Sequence, residues 1–368
     1  MKRFACIVGA RPNFMKMAPI LRAFENYPNA EAVLIHTGQH YDKNLSDVFF
    51  EELGIKKPDV FLGIGSGSHA EQTAKLLIAL EKVFQEAAQA GKPFDRVVVV
   101  GDVNSTMAAA IAASKLHIPI AHVEAGLRSF DRSMPEEINR IITDSISDLL
   151  LVSEPAGVEN LLKEGHPKEN IRLVGNVMID TLRSQVAIAK QQPILDQLGL
   201  RPQHYAVVTL HRPSNVDDEG NLENLIRVFD DVGTRIPIVF PVHPRTRVKL
   251  EKLGYCGENP TRKTSLQLID PLGYNDFLCL TSQSKVVVTD SGGLQEETTA
   301  LEVPCLTMRD TTERPVTVTE GTSTLCGSDS KLLSQYLHEI EAGTYKQGKC
   351  PILWDGKAAE RIVGELMR

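Results

Sequence analysis

Two short apolar runs, each followed at once by an acidic residue beside a glycine, constrain the fold of this chain most strongly. The runs are Val97–Val100, which leads into Gly101-Asp102, and Ile118–Val123, which leads into Glu124-Ala125-Gly126. Continuous β-branched runs are typical of strands buried on both faces of a parallel sheet. The carboxyl ends of such strands point toward the ligand crevice. The sequence therefore predicts that acidic side chains gather at one sheet edge, where they could transfer protons.

A third acidic group, Glu136-Glu137, follows soon after these two strands, and both Asp102 and Glu136 also have a simpler structural interpretation. Asp102 could simply be the cap of the next helix. Glu136 ends Ser133-Met134-Pro135-Glu136, which has the pattern of a capping box with proline near the helix start. Glu124 follows a buried strand, where a charge rarely occurs without a reason. From the residues alone, Asp102 and Glu124 are predicted to be functional, and Glu136 stays open between the two roles.

Strand-like runs alternate with helical stretches along the whole chain, which predicts βαβ units and an α/β fold with parallel sheets. The helical stretches include Pro19–Tyr27, His69–Ala90, Thr106–Lys115 and Ile179–Gln191, and Ser68-His69-Ala70-Glu71 forms a capping box. The predicted strands are Phe4–Val8, Ala32–His36, Val97–Val100, Ile118–Val123, Leu149–Val152 and Ile171–Val174, then Tyr205–Leu210, Ile236–Val242, Leu266–Ile269, Val286–Thr289 and Pro304–Met308.

The chain has 368 residues, more than one hydrophobic core usually supports, so two domains are expected. The boundary is predicted near Gly175-Asn176, which gives domains 1–175 and 176–355. A final helix within 356–368 is expected to pack back on the first domain. Ligands commonly bind in the cleft between two such halves.

Composition excludes several classes of protein. The 40 Lys and Arg residues against 47 Asp and Glu give a net charge of −7, which argues against non-specific nucleic-acid binding. The apolar run in the first residues is too short for a signal peptide, and no run reaches the length of a membrane span. Six scattered cysteines form no metal-binding motif. We therefore expect a cytoplasmic protein without metal or cofactor, and with neither nucleic acid nor membrane as a partner.

Two glycine-containing turns carry the features of an anion site. Gly9-Ala10-Arg11-Pro12 follows the first strand and brings Arg11 and Lys16 toward the sheet edge, although it is not the GxGxxG motif of nicotinamide-binding proteins. Ser291-Gly292-Gly293 follows a strand and opens a helix, where backbone N–H groups and the helix dipole bind phosphate. Glu297, one turn later, could accept hydrogen bonds from a ribose diol.

Further cations and imidazoles end the strands of the second half. His211 directly precedes Arg212, and His243 lies two residues before Arg245, each at a predicted strand end. This repetition favours a functional role for His211 more than for His243. Arg314 follows the last predicted strand. It could contact a ligand or pair with Glu297.

With these motifs in hand, the chain resembles the non-hydrolysing UDP-N-acetylglucosamine 2-epimerase family, from Gly9-Ala10-Arg11-Pro12 to about Gly327. The resemblance implies the glycosyltransferase-B architecture of two Rossmann-like domains. The motifs that carry it are HTGQHYD at His36–Asp42, GDVNST at Gly101–Thr106, HVEAGLRSFDRSMPEEINR at His122–Arg140, VTLHRPSN at Val208–Asn215, DSGGLQEE at Asp290–Glu297 and MRDTTERP at Met308–Pro315.

The resemblance also implies a reaction and its residues. The family eliminates UDP across C1 and C2 of the sugar to form a glycal, and UDP then adds back after a proton returns to the opposite face of C2. The family's catalytic positions correspond to Asp102, Glu124, Glu136 and His211. The expected UDP-sugar contacts are Arg11, Lys16, His243, Ser291, Gly292, Gly293, Glu297 and Arg314, with Glu137 and Glu296 as supports. A homodimer that works in polysaccharide biosynthesis is expected.

Some positions depart from the pattern of many bacterial members. The segment between AGLR and PEE is short, Tyr41-Asp42 replaces Arg-Glu, and His243-Pro244-Arg245 replaces an asparagine-containing loop. These differences argue against activation by a second substrate molecule. The expected reaction interconverts UDP-N-acetylglucosamine and UDP-N-acetylmannosamine, and the departures suggest a related sugar, such as UDP-2,3-diacetamido-2,3-dideoxyglucuronic acid, as the alternative substrate. Arg128, Arg132 and Arg245 could meet the carboxylate of that sugar or could equally be surface cations.

Three other functions fit the sequence less well. A hydrolysing epimerase typically has Gly-Asp-Arg-x-Glu where this chain has Val103-Asn104-Ser105. A glycosyltransferase of this fold would need an acceptor pocket. A regulator that only binds nucleotide sugars would not need the acids, yet all of them are present.

Overall fold

The computed structural model describes residues 1–38, 54, 56–257 and 259–368. The chain divides into two compact units. The first comprises Met1–Thr181 and Ile352–Arg368, and the second comprises Leu182–Pro351. No helix of the described residues is both long and apolar enough to cross a membrane.

The first unit is built on a parallel sheet with the strand order β3-β2-β1-β4-β5-β6-β7 among its described residues. Its strands are β1 (Lys2–Val8), β2 (Ala30–His36), β3 (Val60–Phe61), β4 (Arg96–Val100), β5 (Ile120–Val123), β6 (Leu149–Val152) and β7 (Ile171–Leu173). Its helices are α1 (Arg11–Phe24), α2 (His69–Gln89), α3 (Asn104–Lys115), α4 (Pro135–Ser145) and α5 (Pro155–Lys163), with a 3₁₀ turn at Lys168–Asn170.

The second unit carries a parallel sheet with the order β10-β9-β8-β11-β12-β13. Its strands are β8 (Ala206–Thr209), β9 (Ile238–Pro241), β10 (Gln267–Ile269), β11 (Val286–Thr289), β12 (Cys305–Thr307) and β13 (Ser323–Leu325). Helix α6 (Val177–Ala189) spans the division between the units. The helices that follow are α7 (Ile194–Gln197), α8 (Pro213–Val216), α9 (Glu219–Gly233), α10 (Pro244–Lys252), α11 (Tyr274–Ser282), α12 (Gly292–Ala300), α13 (Pro315–Thr319) and α14 (Ser330–Ala342).

The predicted fold class, α/β with parallel sheets, is confirmed. In each unit the chain leaves the central strands in both directions, so a switch point lies between β1 and β4 and another between β8 and β11. Ligands of open α/β sheets bind at such points, beyond the carboxyl ends of the strands. Asp102, which follows β4, and the glycine loop that follows β11 both occupy this kind of position.

Three local predictions needed correction or support. Ser68 does cap α2, because its hydroxyl oxygen accepts the Glu71 N–H at 3.2 Å. The capping box at Ser133 was wrong: Met134 occupies the N-cap position of α4, and the Ser133 hydroxyl donates to Asp131 at 2.6 Å. Helix α1 begins at Arg11 rather than at Pro19. Pro12 is tolerated because it lies in the first turn, and the helix continues through Pro19.

The last helix, α15 (Ala358–Met367), belongs to the first unit. Ile362, Val363 and Leu366 are buried, so its apolar face is covered. Its first N–H groups, of Ala358 and Ala359, donate to the Asp180 carboxylate at 3.1 and 2.7 Å. Burial raises the pKa of Asp180 to about 6, although these two hydrogen bonds act in the opposite direction.

Asp180 should make stability depend on pH. Its pKa is higher in the folded protein than the ordinary value of 3.8, so its contribution is complete below pH 4 and is lost as the pH rises through 6. The full loss corresponds to roughly 3 kcal/mol. Asp180→Asn should remove this slope. Urea titrations of both proteins between pH 4 and 8 measure it, and parallel curves would contradict the assignment.

Candidate functional site

The acids of the first unit stand at the carboxyl ends of neighbouring strands. Asp102 follows β4 and Glu124 follows β5. These strands pair in parallel, with Val97 opposite Ile120 and Val100 opposite Val123. The register places the two turns side by side. Glu136 lies in the first turn of α4 and is partly exposed.

Asp102 is held by α4 rather than acting as a helix cap. The N-cap position of α3 belongs to Val103. The Asp102 carboxylate instead receives the Arg140 Nε–H at 3.0 Å, and its carbonyl oxygen accepts from the Asn139 side-chain amide at 2.8 Å. About a third of the Asp102 side chain is exposed, at 34%. The simple capping interpretation is therefore wrong, and the carboxylate is both fixed and accessible.

Glu124 adopts a backbone conformation that L-residues avoid. Its φ is +71°, and only 3% of the residue is exposed. Residues held in this region cluster at functional sites, because the surrounding structure must compensate for the strain. Its carboxylate pairs with the Lys16 ammonium of α1. A side chain at Gly101 would meet both groups, at 3.4 Å from Lys16 Nζ and 3.6 Å from Glu124 Oε2.

Glu137 joins the Ser129-Phe130 turn to α4. It is buried, and its carboxylate accepts the N–H of Ser129 at 2.9 Å and that of Phe130 at 3.0 Å. Arg140 donates to the same carboxylate at 2.7 Å. Arg140 thereby connects the Ser129-Phe130 turn with Asp102, and sequence reasoning did not single it out. Its position three residues after Glu137 on a helix was the available signal.

Arg128 cannot meet a sugar carboxylate as the sequence suggested. Only 3% of the residue is exposed, and its guanidinium donates to both carboxylate oxygens of Glu164, at 2.7 and 2.6 Å. It also lies 2.7 Å from Asp144. Arg245 is exposed but is paired with Asp217. Arg132 is exposed.

In the second unit, His211 and Asp290 form a pair at the ends of β8 and β11. His211 Nδ1 lies 2.7 Å from Asp290 Oδ1, and the other carboxylate oxygen accepts the N–H groups of His211 and Arg212 at 2.9 and 2.8 Å. Burial opposes ionisation of Asp290, but the hydrogen bonds from His211 and Asn215 lower its pKa. Asp290 keeps His211 oriented, with 42% of the imidazole side chain exposed.

The sequence pattern places Asp290 in the DSGGLQEE motif but does not predict it as a site residue. An acid directly before Ser-Gly-Gly, at the end of a buried strand, was the available signal. His243 lies near this pair, with its ring centroid 5.6 Å from that of His211. Partial burial and the neighbouring His211 lower the pKa of His243.

The Ser291-Gly292-Gly293 turn opens α12 as predicted, with Ser291 at the N-cap position. A Cβ on Gly293 would find no described atom within 4 Å. A Cβ on Gly292 would lie 2.9 Å from the Glu313 carboxylate. The helix start therefore offers backbone N–H groups beside open space, which suits an anionic group.

Buried carboxylates and arginines lie around this turn. Arg314 pairs with Glu296 at 2.7 Å, so the alternative pairing with Glu297 was wrong. Glu297 is buried, and burial with the nearby Glu296 charge raises its pKa to about 8, while a hydrogen bond with Tyr274 acts in the opposite direction. Sequence reasoning did not single out Arg309, which pairs with Glu313 at 2.9 Å.

The remaining predicted contacts are only partly described. Arg11 begins α1, but its side chain lies outside the described part of the structure, as do Tyr41 and Asp42. Within the described residues, no cluster of three or more His, Cys, Asp or Glu side chains could hold a metal ion.

Comparison with known proteins decides the family. The model of the UDP-N-acetylglucosamine 2-epimerase family matches residues 22–367. The chain belongs to this family. The UDP-N-acetylglucosamine 2-epimerase of Methanocaldococcus jannaschii is 42% identical over 366 residues and 98% of each chain. The UDP-2,3-diacetamido-2,3-dideoxy-D-glucuronate 2-epimerase of Pseudomonas aeruginosa is 40% identical over 366 residues, also 98% of each chain.

Solved structures of this epimerase family have the same fold. The M. jannaschii enzyme in complex with UDP-GlcNAc and UDP superposes with a TM-score of 0.85 at 40% identity, over 99% of each chain. The UDP-GlcNAc 2-epimerase of Neisseria meningitidis, bound to UDP-GlcNAc, gives a TM-score of 0.86 at 27% identity over the full length of both chains. Proteins of this family are isomerases, and this chain is an enzyme of that class.

Glu137 and Glu136 allow a matched comparison of how much a buried, paired carboxylate and a partly exposed one contribute to stability. Glu137→Gln removes the charge that pairs with Arg140 and weakens the acceptor for the Ser129-Phe130 turn, which should destabilise the protein by about 3 kcal/mol. Glu136→Gln, one residue earlier and partly exposed, should change stability by less than about 0.5 kcal/mol. Urea titrations monitored by circular dichroism measure both. Equal effects would refute the buried role of Glu137.

Proposed function

We propose that the protein inverts C2 of a UDP-N-acetyl sugar, with UDP-N-acetylglucosamine and UDP-N-acetylmannosamine as the interconverted pair. The observation that carries the proposal is that Asp102 and Glu124 stand side by side on adjacent strand ends within a chain of this family. Both relatives named above are 2-epimerases, which supports the site of inversion.

The C2 proton is not acidic enough for direct removal and return, so the proposed route is an elimination. One carboxylate takes the C2 proton while the C1–O bond to UDP breaks and a C1=C2 double bond forms. A second carboxylate then delivers a proton to the opposite face of C2 as UDP adds back at C1. No net oxidation or reduction occurs, and the reaction needs no further reactant.

The residues of the first unit fit the proton transfers. Arg140 orients the accessible carboxylate of Asp102, and Lys16 pairs with Glu124 beside Gly101. Glu136 lies in the first turn of α4, one residue before Glu137, and is partly exposed. We assign the two proton transfers to these three carboxylates as a set, with Lys16 and Arg11 as cationic neighbours of the departing diphosphate.

The residues of the second unit fit the UDP group. The N–H groups of Ser291, Gly292 and Gly293 suit the diphosphate, and His211, oriented by Asp290, can stabilise or protonate the departing oxygen. Glu297 is assigned to the ribose diol: with a pKa of about 8 its carboxyl can be protonated and so both donate and accept hydrogen bonds. His243 and Arg314 complete the proposed contacts.

The second candidate substrate is UDP-2,3-diacetamido-2,3-dideoxyglucuronic acid. The P. aeruginosa relative that acts on this sugar is nearly as similar to the chain as the M. jannaschii relative, at 40% against 42% identity. Because Arg128 is buried, we assign the contact with the sugar carboxylate to an exposed cation, Arg132 or Arg245.

Proton NMR in deuterated buffer tests the reaction and the role of Asp102 together. With UDP-N-acetylglucosamine we expect deuterium at C2 and a growing UDP-N-acetylmannosamine signal. Asp102→Asn should reduce turnover by at least about 100-fold while UDP still binds. Accumulation of free UDP and N-acetylmannosamine would indicate a hydrolysing enzyme instead, and no change with either candidate sugar would contradict the proposal.

Gly293→Ala tests the phosphate-binding turn. The added methyl group meets open space in the protein, so the fold should be unchanged, but it would occupy the room assigned to the diphosphate. UDP affinity measured by calorimetry should fall about tenfold or more, a loss of at least 1.4 kcal/mol. Gly220→Ala is the matched control, because Gly220 is also the second residue of a helix in this unit. Equal affinities for both variants would remove Gly293 from the site.

We also infer a homodimer. An open groove of about 610 Å³ is lined by mostly apolar side chains of α2, α3 and α4, including Leu77, Met107, Ile138 and Ile142. Ile78, next to the groove on α2, is 70% exposed. Light scattering should give twice the mass of the chain, and a monomer would contradict the inference. The cytoplasm remains the predicted compartment, and the activated sugar product suits polysaccharide biosynthesis.

A further inference from the structure

A buried histidine–aspartate pair connects the two loops that carry Asp102 and Glu124. His122 belongs to β5 and is fully buried, with its Nδ1 2.6 Å from Asp144 Oδ1. Its Nε2 lies 2.8 Å from the carbonyl oxygen of Gly101, the residue before Asp102. One imidazole therefore fastens the Asp102 loop to α4.

The same aspartate also holds the neighbouring loop. Asp144 Oδ2 accepts the N–H of Gly126, two residues after Glu124, at 3.1 Å. Gly126 has a φ of +79°, and a Cβ there would lie 2.3 Å from the carbonyl oxygen of Gly157, so this turn has no room for a side chain. The His122–Asp144 pair thus contacts the backbone at Gly101, just before Asp102, and at Gly126, two residues after Glu124.

Hydrogen-bond chemistry fixes the charge of this pair. A backbone carbonyl can only accept, so His122 Nε2 must carry a proton. Asp144 receives the N–H of Gly126 and a guanidinium N–H of Arg128 as well as facing His122, which favours its ionised form. Burial opposes ionisation, but His122 and Arg128 lower the pKa of Asp144. With a carboxylate at Nδ1, that ring nitrogen also carries a proton, and His122 is an imidazolium.

The surrounding charges balance this cation. Two cations, His122 and Arg128, face two anions, Asp144 and Glu164, within hydrogen-bond distance. Buried charges persist in proteins when they are paired and hydrogen-bonded in this manner. No part of this cluster is assigned a contact with the substrate.

We propose that His122, held as an imidazolium by Asp144, is a positioning residue that sets the spacing of the Asp102 and Glu124 carboxylates for the two proton transfers. This inference rests on the proposed function of those acids. Glu124 has a φ of +71°, a conformation that its neighbours must enforce, and Gly101 has the same φ, which glycine adopts freely. Proton transfer at carbon is sensitive to small displacements, so a relaxed loop reduces the rate without removing any group that binds UDP.

Kinetics of three variants test the proposal. His122→Gln and Asp144→Asn should each lower kcat about 100-fold, as expected for a displacement near 1 Å, while KM and the Kd for UDP change less than about threefold. Asp148→Asn is the matched control, because the Asp148 carboxylate accepts the Ile120 N–H at the other end of β5, 2.8 Å away. Its kcat should equal that of the unmodified protein.

The charge state is tested without activity. In protein labelled with ¹⁵N-histidine, His122 should show N–H protons on both ring nitrogens. That pair of signals should vanish in His122→Gln and become a single N–H in Asp144→Asn. A single ring N–H for His122 in the unmodified protein would overturn the imidazolium assignment, and this readout remains if His122→Gln does not fold.

The outcomes separate this inference from the proposed function. Full turnover of both His122→Gln and Asp144→Asn, together with inactive Asp102→Asn, would overturn the positioning role and leave the function intact. An equal loss in Asp148→Asn would mean that β5 matters only for stability. If the unmodified protein converts neither candidate sugar, both proposals fail together.

Discussion

The contacts between α4 and the strand-end loops are the constraint on which the acid site depends. Asn139 holds the Asp102 carbonyl oxygen, Arg140 holds its carboxylate, and Asp144 holds the backbone after Glu124. The same helix carries Glu136 in its first turn. Carboxylates at one sheet edge repel each other, and cations fixed on helices offset this cost here, with Lys16 paired to Glu124 and Arg140 to Asp102.

In the second unit a single buried carboxylate, that of Asp290, is likewise stabilised by the donors around it. Asp290 is fully buried at the end of β11, yet it accepts hydrogen bonds from two backbone N–H groups and the Asn215 amide and pairs with His211. These donors hold β8 and β11 together at their carboxyl ends.

The comparison of prediction with structure shows where local patterns suffice. Leu149–Val152 and Val286–Thr289 were predicted with their observed bounds, because buried parallel strands read as unbroken β-branched or leucine runs. The edge strands β3 and β13, at Val60–Phe61 and Ser323–Leu325, were not predicted. Each is two or three residues long and only partly buried, so its sequence carries no periodic signal.

The sequence by itself determined the α/β class, the strand ends that carry acids and glycines, and the family, because these depend on residue order alone. Tertiary structure decided which charges meet. Arg128 was a candidate ligand until it proved buried against Glu164, and Arg314 had two possible partners until Glu296 was found beside it. The roles of His122, Asp144 and Asp290 likewise depend on contacts between residues from different elements, and such contacts are set by packing in three dimensions rather than by any local pattern.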